Sequence, residues 1–468
     1  MIWHRLGNLA IIPHGLQSEE DATIFPNALQ DPRSRSSLEA AIRKFFLVAM
    51  LTAYLALPAV ITAGSASANQ GIAGESVSSS REISAFLQSE PSGTTERLIR
   101  LQPGDYAPLV ILGGTGPVHL VAADPSKPPH LTGLTIKEGA DITFENVVLD
   151  YRFDGEQDEI WVAPFRIYDS RNIAFEGVVF DGDIVRGRGA PDSGFAGGKA
   201  LVAEDVQGLT VENSEIRGFF VGLSIKESSD IRVVGNNFHS MRKDGINFAQ
   251  VRDVLVEGNT FHSFGRSLAS GDHSDMIQLW STRTTSPSER VTIRNNIFNS
   301  GHGYWTQTIF FRNEWVDRGK AGHELFFRDF LIEGNVIINA HLHGISIGES
   351  DGLVIRNNTL IRNKGSEAEA FDDVWASPRI GVAERSMNVL IERNVAYDFP
   401  KPSGPDWTVR DNYRIQAEHR MEPGFYGRVF YNALAGDPLD LENFQYLSDG
   451  PLGGHDIGSQ MLQGQGAD

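Results

Sequence analysis

Cysteine is absent from this 468-residue sequence, so disulfide bonds play no part in stabilising the protein. Basic residues are also scarce: 41 Lys and Arg stand against 60 Asp and Glu, which gives a formal net charge of −19. Such a charge argues against nucleic acid and anionic membranes as partners, because both repel an acidic protein. It permits binding of cations, whereas a polyanionic ligand would require a local cluster of basic residues.

Long apolar runs are limited to one stretch, residues 45–63, which follows an Arg-Lys pair. The sequence Ala-Ser-Ala at 66–68 comes next and is typical of a cleavage site. We therefore predict that residues 1–68 form an N-terminal extension and a secretory signal peptide, and that the mature protein is secreted or periplasmic. The alternative is a membrane anchor, since the run is near the lower length limit for spanning a bilayer. Pro58 and the cleavage site favour the signal peptide, which would leave no membrane span after cleavage.

A short phrase recurs through the middle of the chain: alternating apolar residues, then usually a Gly or Asn, then an Asn. Its copies lie at 209–213, 231–236, 254–259, 291–296, 330–335 and 353–358, with weaker ones at 142–146, 173–177 and 389–394. Asn213, Asn236 and Asn259 are spaced by 23 residues, a length typical of one solenoid coil.

The repeat has a physical explanation in stacked coils. One coil of three short strands cannot bury its inward side chains alone, but parallel stacking buries them against equivalent positions above and below. The turn Asn tolerates a left-handed backbone and can bond to neighbouring backbone groups, so stacked copies would form a ladder. The sequence therefore predicts an all-β solenoid.

These repeats resemble those of the pectate-lyase-like superfamily, in which Asn ladders mark one turn of the coil. The resemblance covers about residues 99–399. It implies a single-stranded right-handed parallel β-helix of the polysaccharide lyase or C5-epimerase type, with an N-terminal cap and long loops on one face.

Three parts follow the predicted signal peptide. Residues 69–140 are expected to form an N-terminal cap and opening coils, with a helix at 83–88 covering the open sheet edge. Residues 141–399 are expected to form the β-helix. The repeat fades after Phe399, so residues 400–468 are predicted to be a C-terminal cap or tail, with one strand-like piece at 425–433.

The third strand of each coil is aligned by its apolar positions, and its outward positions then stack into columns about 4.8 Å apart. In the resembled superfamily this sheet carries the substrate groove. One column stands just ahead of the strands, and two further columns lie on their outward faces. The first column contains Val221, Asp244, Asp275, Gln307 and His343, and the others contain Ser224, Asn247, Gln278 and Ser346, then Lys226, Trp280 and Arg312.

Asp272-His273-Ser274-Asp275 is the densest cluster of reactive groups, and it lies where a loop enters a third strand. It resembles the Asp-Pro-His-Asp/Glu motif of the mannuronan C5-epimerases, although the Pro is missing and the His stands one place earlier. The resemblance implies proton abstraction at C5 of a uronate. The alternative is a loop in which Asp and Ser side chains cap backbone groups.

C5 abstraction requires a base and a group that neutralises the uronate carboxylate. His273 is the predicted base, beside Asp275, because an imidazole titrates near roughly pH 6.5. His343 is the predicted opposing acid. Arg312 or Lys226 could neutralise the carboxylate directly. Elimination would make the protein a lyase, and reprotonation from the opposite face would make it an epimerase.

A calcium ion is the alternative neutralising group. Asp244, Asp272 and Asp275 are its predicted ligands, because Ca²⁺ prefers carboxylate oxygens. The predicted substrate-binding residues are Lys226, Asn247, Gln278, Trp280, Gln307 and Trp305.

Two other functions fit the same pattern. Asp244 and Asp275 could act as the carboxylate pair of a glycoside hydrolase. A non-catalytic polysaccharide-binding or surface protein could use the same fold, which hosts many functions. In each case the expected partner is a polysaccharide, most simply an acidic one, and the expected state is a monomer. His239 and His262 lie at one offset after the turn Asn and are predicted to stack on the exterior.

Overall fold

Parallel strands wind around one axis in a computed structural model that describes residues 74–89, 96–114, 116–303, 306–366 and 373–464. A full coil contributes one strand to each of three faces, and these strands pair in parallel with their equivalents in the neighbouring coils. This arrangement confirms the predicted parallel β-helix. The predicted signal peptide lies outside the described residues.

The first face ends at the turn that contains the repeated Asn. Its strands are Glu75–Val77, Arg97–Leu101, Val118–Ala122, Ala140–Glu145, Ser229–Val234, Arg252–Glu257, Glu289–Arg294, Phe327–Glu333, Ser350–Arg356, Met387–Glu392 and Trp407–Arg410.

The second face is a separate sheet of 12 short strands. They are Asp105–Tyr106, His130–Leu131, Val148–Asp150, Val179–Asp181, Glu215–Arg217, Asn237–His239, Thr260–His262, Ile297–Asn299, Val336–Asn339, Thr359–Arg362, Val395–Ala396 and Tyr413–Arg414.

The third face contains the strands that the sequence singles out for chemistry. They are Leu109–Leu112, Leu134–Lys137, Phe219–Lys226, Asp244–Ala249, Ser274–Trp280, Thr306–Arg312, His343–Ile347 and Arg379–Val382. Two long strands, Phe165–Glu176 and Ala196–Glu212, bend from this face into the first. Asp183–Ile184 pairs antiparallel with the start of the second long strand.

Helices are short and lie outside the coils. The α-helices are Ser80–Gln88, Glu314–Asp317, Asp373–Ala376 and Tyr426–Val429, and the 3₁₀ turns are His323–Leu325, Lys364–Ser366, Leu441–Phe444 and Gln460–Leu462. The helix at Ser80–Gln88 confirms the predicted N-terminal helix, and Ser79 caps it by accepting a hydrogen bond from the Glu82 amide.

A continuous apolar core fills the solenoid, because alternate residues of each strand point inward and stack on their equivalents. Phe238, Phe261 and Phe298 show this directly, with ring centroids 4.6 Å and 4.8 Å apart in successive coils. On the exterior, the rings of His239 and His262 stack 5.0 Å apart, which confirms that prediction.

A buried Asn ladder closes the turn after the first face. Each side-chain amide donates to the side-chain oxygen of the next member, at 2.9–3.0 Å, and to a backbone carbonyl. Its members are Asn236, Asn259, Asn296, Asn335, Asn358, Asn394 and Asn412.

Asn213 is not a member of this ladder, so the 23-residue spacing assigned to it from sequence was wrong. Its φ of +49° matches that of the residue before each ladder Asn, such as Gly235 and Gly258. Ser214 holds the ladder position, and its amide donates to Asn236 Oδ1 at 2.9 Å. Two adjacent residues at each turn thus have different roles: the first adopts the left-handed backbone conformation, and the second makes the ladder hydrogen bonds.

The C-terminal segment differs from prediction in two respects. Coil pairing continues past Phe399 to Arg414. Residues 425–433, predicted as strand-like, contain the helix Tyr426–Val429. This segment packs on the outside of the second face, where Tyr426, Phe430 and Tyr446 cover Val336, Ile338, Ile361 and Val395.

Candidate active site

The predicted row ahead of the third-face strands is present. Strand pairing joins Lys199 to Val221 and Asp244, Asp275 to Gln307, and His343 to Arg379. The register of the residues that follow in these strands continues the row from Asp244 to Asp275 and from Gln307 to His343 on successive coils. The turn into each strand sets the direction of these side chains. A Cβ on Gly245 would lie 3.1 Å from the Phe261 ring, so Gly245 faces the core and Asp244 faces outward.

Asp244 and Asp275 form a buried acidic pair at the centre of this row. Both are 0% exposed. Asp244 Oδ1 accepts a hydrogen bond from the Asp275 amide at 3.2 Å, and Oδ2 accepts one from the Asn247 side chain at 3.0 Å. Burial raises the pKa of Asp244 to about 6; the negative charge of Asp275 adds to this, while Lys243 and the Asn247 bond oppose it.

His273 is the accessible member of the cluster, with 30% of its side chain exposed. Its Nδ1 lies 2.8 Å from Asp275 Oδ2. This hydrogen bond, with the charges of Asp275 and Asp244, raises the pKa of His273, and burial opposes the rise. An Nδ1–H donated to Asp275 leaves the lone pair on Nε2, which is the arrangement of an oriented general base.

His343 lies at the far end of the row beside a second histidine, His341. The two rings stack with centroids 5.1 Å apart, and His343 Nδ1 is 2.7 Å from Ser346 Oγ. Burial, reinforced by the positive charges of Arg379 and His273, lowers the pKa of His343 to about 4. Burial also lowers the pKa of His341 well below its usual value. Burial therefore favours the neutral form of both imidazoles at neutral pH, which disfavours the predicted role of His343 as an imidazolium acid.

Basic side chains surround the cluster within an otherwise acidic protein. Lys243 Nζ is 3.6 Å from Asp244 Oδ2. Burial, with the charge of Lys243, lowers the pKa of Lys199. The charge of Arg379 helps to lower the pKa of both His341 and His343, and that of Arg266 helps to lower the pKa of His341. These residues supply the local positive charge that a polyanionic ligand requires.

Three buried acceptors in or beside the row have no hydrogen-bond donor among the residues that the structure describes: Asp275 Oδ1, Gln307 Oε1 and Asn247 Oδ1. Unpaired buried acceptors are costly and are concentrated at functional sites.

The outward column beside the row is also confirmed by strand register, and it contains Ser224, Asn247, Gln278 and Ser346. Sequence alignment missed its remaining member, Phe310, because an outward Phe looks like a core residue. The Phe310 ring lies 4.9 Å from that of His343. It forms an apolar platform beside the polar row.

Other predicted site residues lie apart from the row. Lys226 and Trp280 are in one column with Arg312. Lys226 Nζ pairs with Glu204 at 2.8 Å and Glu227 at 2.9 Å, and Arg312 pairs with Asp317 at 2.8 Å. Both cations are therefore engaged by carboxylates of this chain. Trp305 lies outside the described residues.

The three predicted calcium ligands do not converge. Asp272 Oδ2 accepts hydrogen bonds from Arg242 at 2.8 Å and from Ser270 at 2.7 Å. Within the described ranges, no group of three or more His, Cys, Asp or Glu side chains could hold a metal ion. We therefore derive no step through calcium, and a calcium requirement stays a prediction.

Comparisons with known proteins agree with this fold. The family model described as "Right handed beta helix region" matches residues 165–313, and the chain is a right-handed parallel β-helix protein. No curated protein matches the sequence. No helix in the part of the chain that the structure describes is long and apolar enough to cross a membrane.

Similar solved structures include three β-helix proteins of different function. The Dettilon tailspike protein has a TM-score of 0.47 at 12% identity, over 75% of this chain and 68% of its own. PfbA, a surface adhesin of Streptococcus pneumoniae, has a TM-score of 0.42 at 14% identity, over 71% and 86%. The periplasmic alginate epimerase AlgG has a TM-score of 0.39 at 13% identity, over 72% and 82%. At these values no activity is transferred to this chain.

Proposed function

We propose that this right-handed β-helix protein acts on a uronate-containing polysaccharide by proton transfer at C5, as a lyase or a C5-epimerase. One observation carries the proposal: His273 is the accessible group of a buried acidic cluster and bonds to Asp275 at 2.8 Å. The buried carboxylate orients the imidazole and strengthens it as a base, and the partly exposed imidazole meets the substrate.

The first step is the same for both reactions. His273 Nε2 takes the C5 proton, and Asp275 stabilises the imidazolium that forms. In a lyase the electron pair left on C5 forms the C4–C5 double bond as the C4–O bond breaks, and the departing oxygen takes the proton from the His273 imidazolium. In an epimerase a water molecule delivers a proton to C5 from the opposite face, and the imidazolium releases its proton to solvent. His343 is neutral above about pH 4, so we assign it to substrate binding rather than to the acid role.

Lys226 and Arg312 are not proposed to neutralise the uronate carboxylate, because carboxylates of this chain already pair with them. We propose that Lys243 and Arg379 do this instead, because both lie beside row members. A cation near the carboxylate lowers the free energy of the carbanion-like transition state that develops after proton loss.

Binding of the polysaccharide is assigned to the two columns. Asn247, Gln278 and Gln307 would donate hydrogen bonds to sugar hydroxyls or accept them from these groups, and Asn247 Oδ1 and Gln307 Oε1 have no donor within the described ranges. Phe310 and Trp280 would pack against sugar faces. The protein would act as a monomer after export, with no nucleic-acid partner.

The test is turnover of a polyuronate panel, with and without chelator, by wild type, His273→Gln and Asp275→Asn. Ultraviolet absorbance detects the unsaturated uronate of a lyase, and NMR of the polymer detects epimerised residues. Both variants should lose activity with the fold intact, whereas His239→Gln, a histidine on the second face, should keep it. Wild-type turnover by both site variants would remove this site from consideration.

A glycoside hydrolase is the second candidate, favoured by Asp244 and Asp275 on adjacent coils and by the raised pKa of Asp244. Full burial of both carboxylates counts against it, because neither reaches a glycosidic oxygen without rearrangement. New reducing ends without ultraviolet absorbance would identify a hydrolase. Glycan retention without any product would identify a binding protein.

A further inference from the structure

A buried guanidinium, Arg242, lies beside the candidate site and joins two insertions of the solenoid. Its side chain is 1% exposed. Its Nη2 lies 2.8 Å from Asp192 Oδ1 and 2.8 Å from Asp272 Oδ2. Asp192 belongs to the insertion between the strands Asp183–Ile184 and Ala196–Glu212, and Asp272 directly precedes His273.

Two aromatic rings enclose the same guanidinium. Its central carbon is 5.0 Å from the Phe220 ring centroid and 5.7 Å from that of Phe195. Phe195 comes from the Asp192 insertion, and Phe220 comes from a third-face strand. A planar guanidinium fits between rings and bonds to carboxylates at its edge, which a lysine ammonium cannot do.

This arrangement is a poor device for stability alone. Arg242 Nε and Nη1 are buried and have no hydrogen-bond acceptor in the described part of the chain. Buried donors without acceptors and a desolvated charge raise the free energy of the folded state. Apolar residues of similar volume often give greater stability at such positions. A buried ion pair does, however, select one geometry of the segments that it joins.

The geometry that the Arg242 contacts select is that of the loop segment containing His273. The Arg242 side chain holds the residue before His273, and the Arg242 carbonyl accepts a hydrogen bond from Ser274 Oγ, the residue after it, at 3.1 Å. Arg266 Nη1 also donates to the Asp272 carbonyl at 3.0 Å. One residue therefore anchors His273 on both sides.

We propose that Arg242 is a positioning residue that ties the Asp192 insertion to the Asp272 loop and thereby holds His273 against Asp275. Its catalytic consequence rests on the proposed function; the positioning itself does not. Loss of the tie would let the loop move, and displacement of a reacting group by about 1 Å can cost on the order of 100-fold in rate.

The first readout needs no substrate. Because its bond to Asp275 raises the pKa of His273, loosening that bond should lower it. NMR titration of wild type, Arg242→Lys and Asp192→Asn, with the signal assigned through His273→Gln, should show a lower His273 pKa in both variants. Asp192→Glu should restore it in part. Arg186→Gln, which breaks only an exposed ion pair in the same insertion, should leave it unchanged.

The second readout is turnover. Arg242→Lys should lower kcat by about 10- to 100-fold with a small change in KM, because the base is displaced while the binding columns remain. If Arg242→Lys does not fold, Asp192→Asn alone decides. Folded variants whose His273 titrates as in wild type would overturn the proposal, even if turnover falls. Failure of every polyuronate as a substrate would refute the proposed function and leave the titration result valid.

Discussion

Replacing Asp244 with Asn should make the protein more stable at neutral pH. The usual pKa of 3.8 and the buried value of about 6 differ by about two pH units, and each is worth ~1.4 kcal/mol. Keeping Asp244 ionised in the folded protein therefore costs about 3 kcal/mol. An amide of the same shape removes that cost but also loses the attraction to Lys243, so we expect a net gain of about 1–3 kcal/mol.

The surrounding hydrogen bonds can accommodate this change. The new Asn oxygen can accept the Asp275 amide bond, and its NH₂ group needs an acceptor where Asp244 Oδ2 now meets the Asn247 side chain. Asn247 Oδ1 has no donor among the residues described, so rotation of that amide would supply the acceptor.

The pH dependence of stability shows whether ionised Asp244 stabilises or destabilises the folded protein. The folded pKa is raised above the unfolded one, so wild type has no deficit below about pH 4 and its full deficit above about pH 6. Urea unfolding followed by circular dichroism at about pH 8 and about pH 4 should show the gain only at the higher pH. Asp253→Asn is the control: Arg290 lowers the pKa of that carboxyl, so its loss should weaken stability slightly at neutral pH. A variant of Asp244 that is equally destabilised at both pH values would refute the reasoning.

Three further outcomes are expected. Asn296→Ala should destabilise by on the order of 3 kcal/mol in urea unfolding, because it removes bonds to two neighbouring coils and leaves buried backbone groups unpaired. In NMR titration, His343 should protonate near pH 4 and His273 above its usual value. Glu418→Gln should speed proteolysis of residues 416–464, since it removes a charged partner of the 5%-exposed Arg362, 2.9 Å away.

Each of these has a clear contrary result. Gln207→Ala changes an exposed side chain on the first face and should alter the free energy of unfolding by less than about 0.5 kcal/mol. A loss as small as that for Asn296→Ala would contradict a stabilising role of the Asn ladder. Titration of His343 near pH 6.5 would show that it is hydrated rather than buried. Unchanged proteolysis of the Glu418 variant would show that apolar packing alone holds the C-terminal segment.

The sequence predicts the coils and the row ahead of the third-face strands because both follow from the alternation of inward apolar and outward side chains along each strand. Asp275 and Gln307 could be aligned from the apolar residues beside them, and the register bears this out. Asn213 was misplaced by one residue because Asn suits both the left-handed turn and the ladder, so its identity does not fix the position.

Residues in insertions could not be placed in the same way. Arg242 and Asp192 meet through a loop of no regular period, and nothing in the sequence pairs them. The C-terminal segment carries no repeat, so nothing in the sequence pattern indicates that it packs on the second face. The column of Lys226 and Arg312 suggests that they neutralise the substrate carboxylate. In the structure they form ion pairs with neighbouring Glu and Asp side chains, which the column does not predict.

The most direct test of the central claim, that His273 transfers the C5 proton of a uronate, is incubation with polyuronates in D₂O. Mass spectrometry and NMR of the polymer should show deuterium at C5, or elimination products, with wild type. Both should be absent with His273→Gln. Chain cleavage to saturated ends with no deuterium at C5 would contradict it, and so would deuterium incorporation that survives the loss of His273.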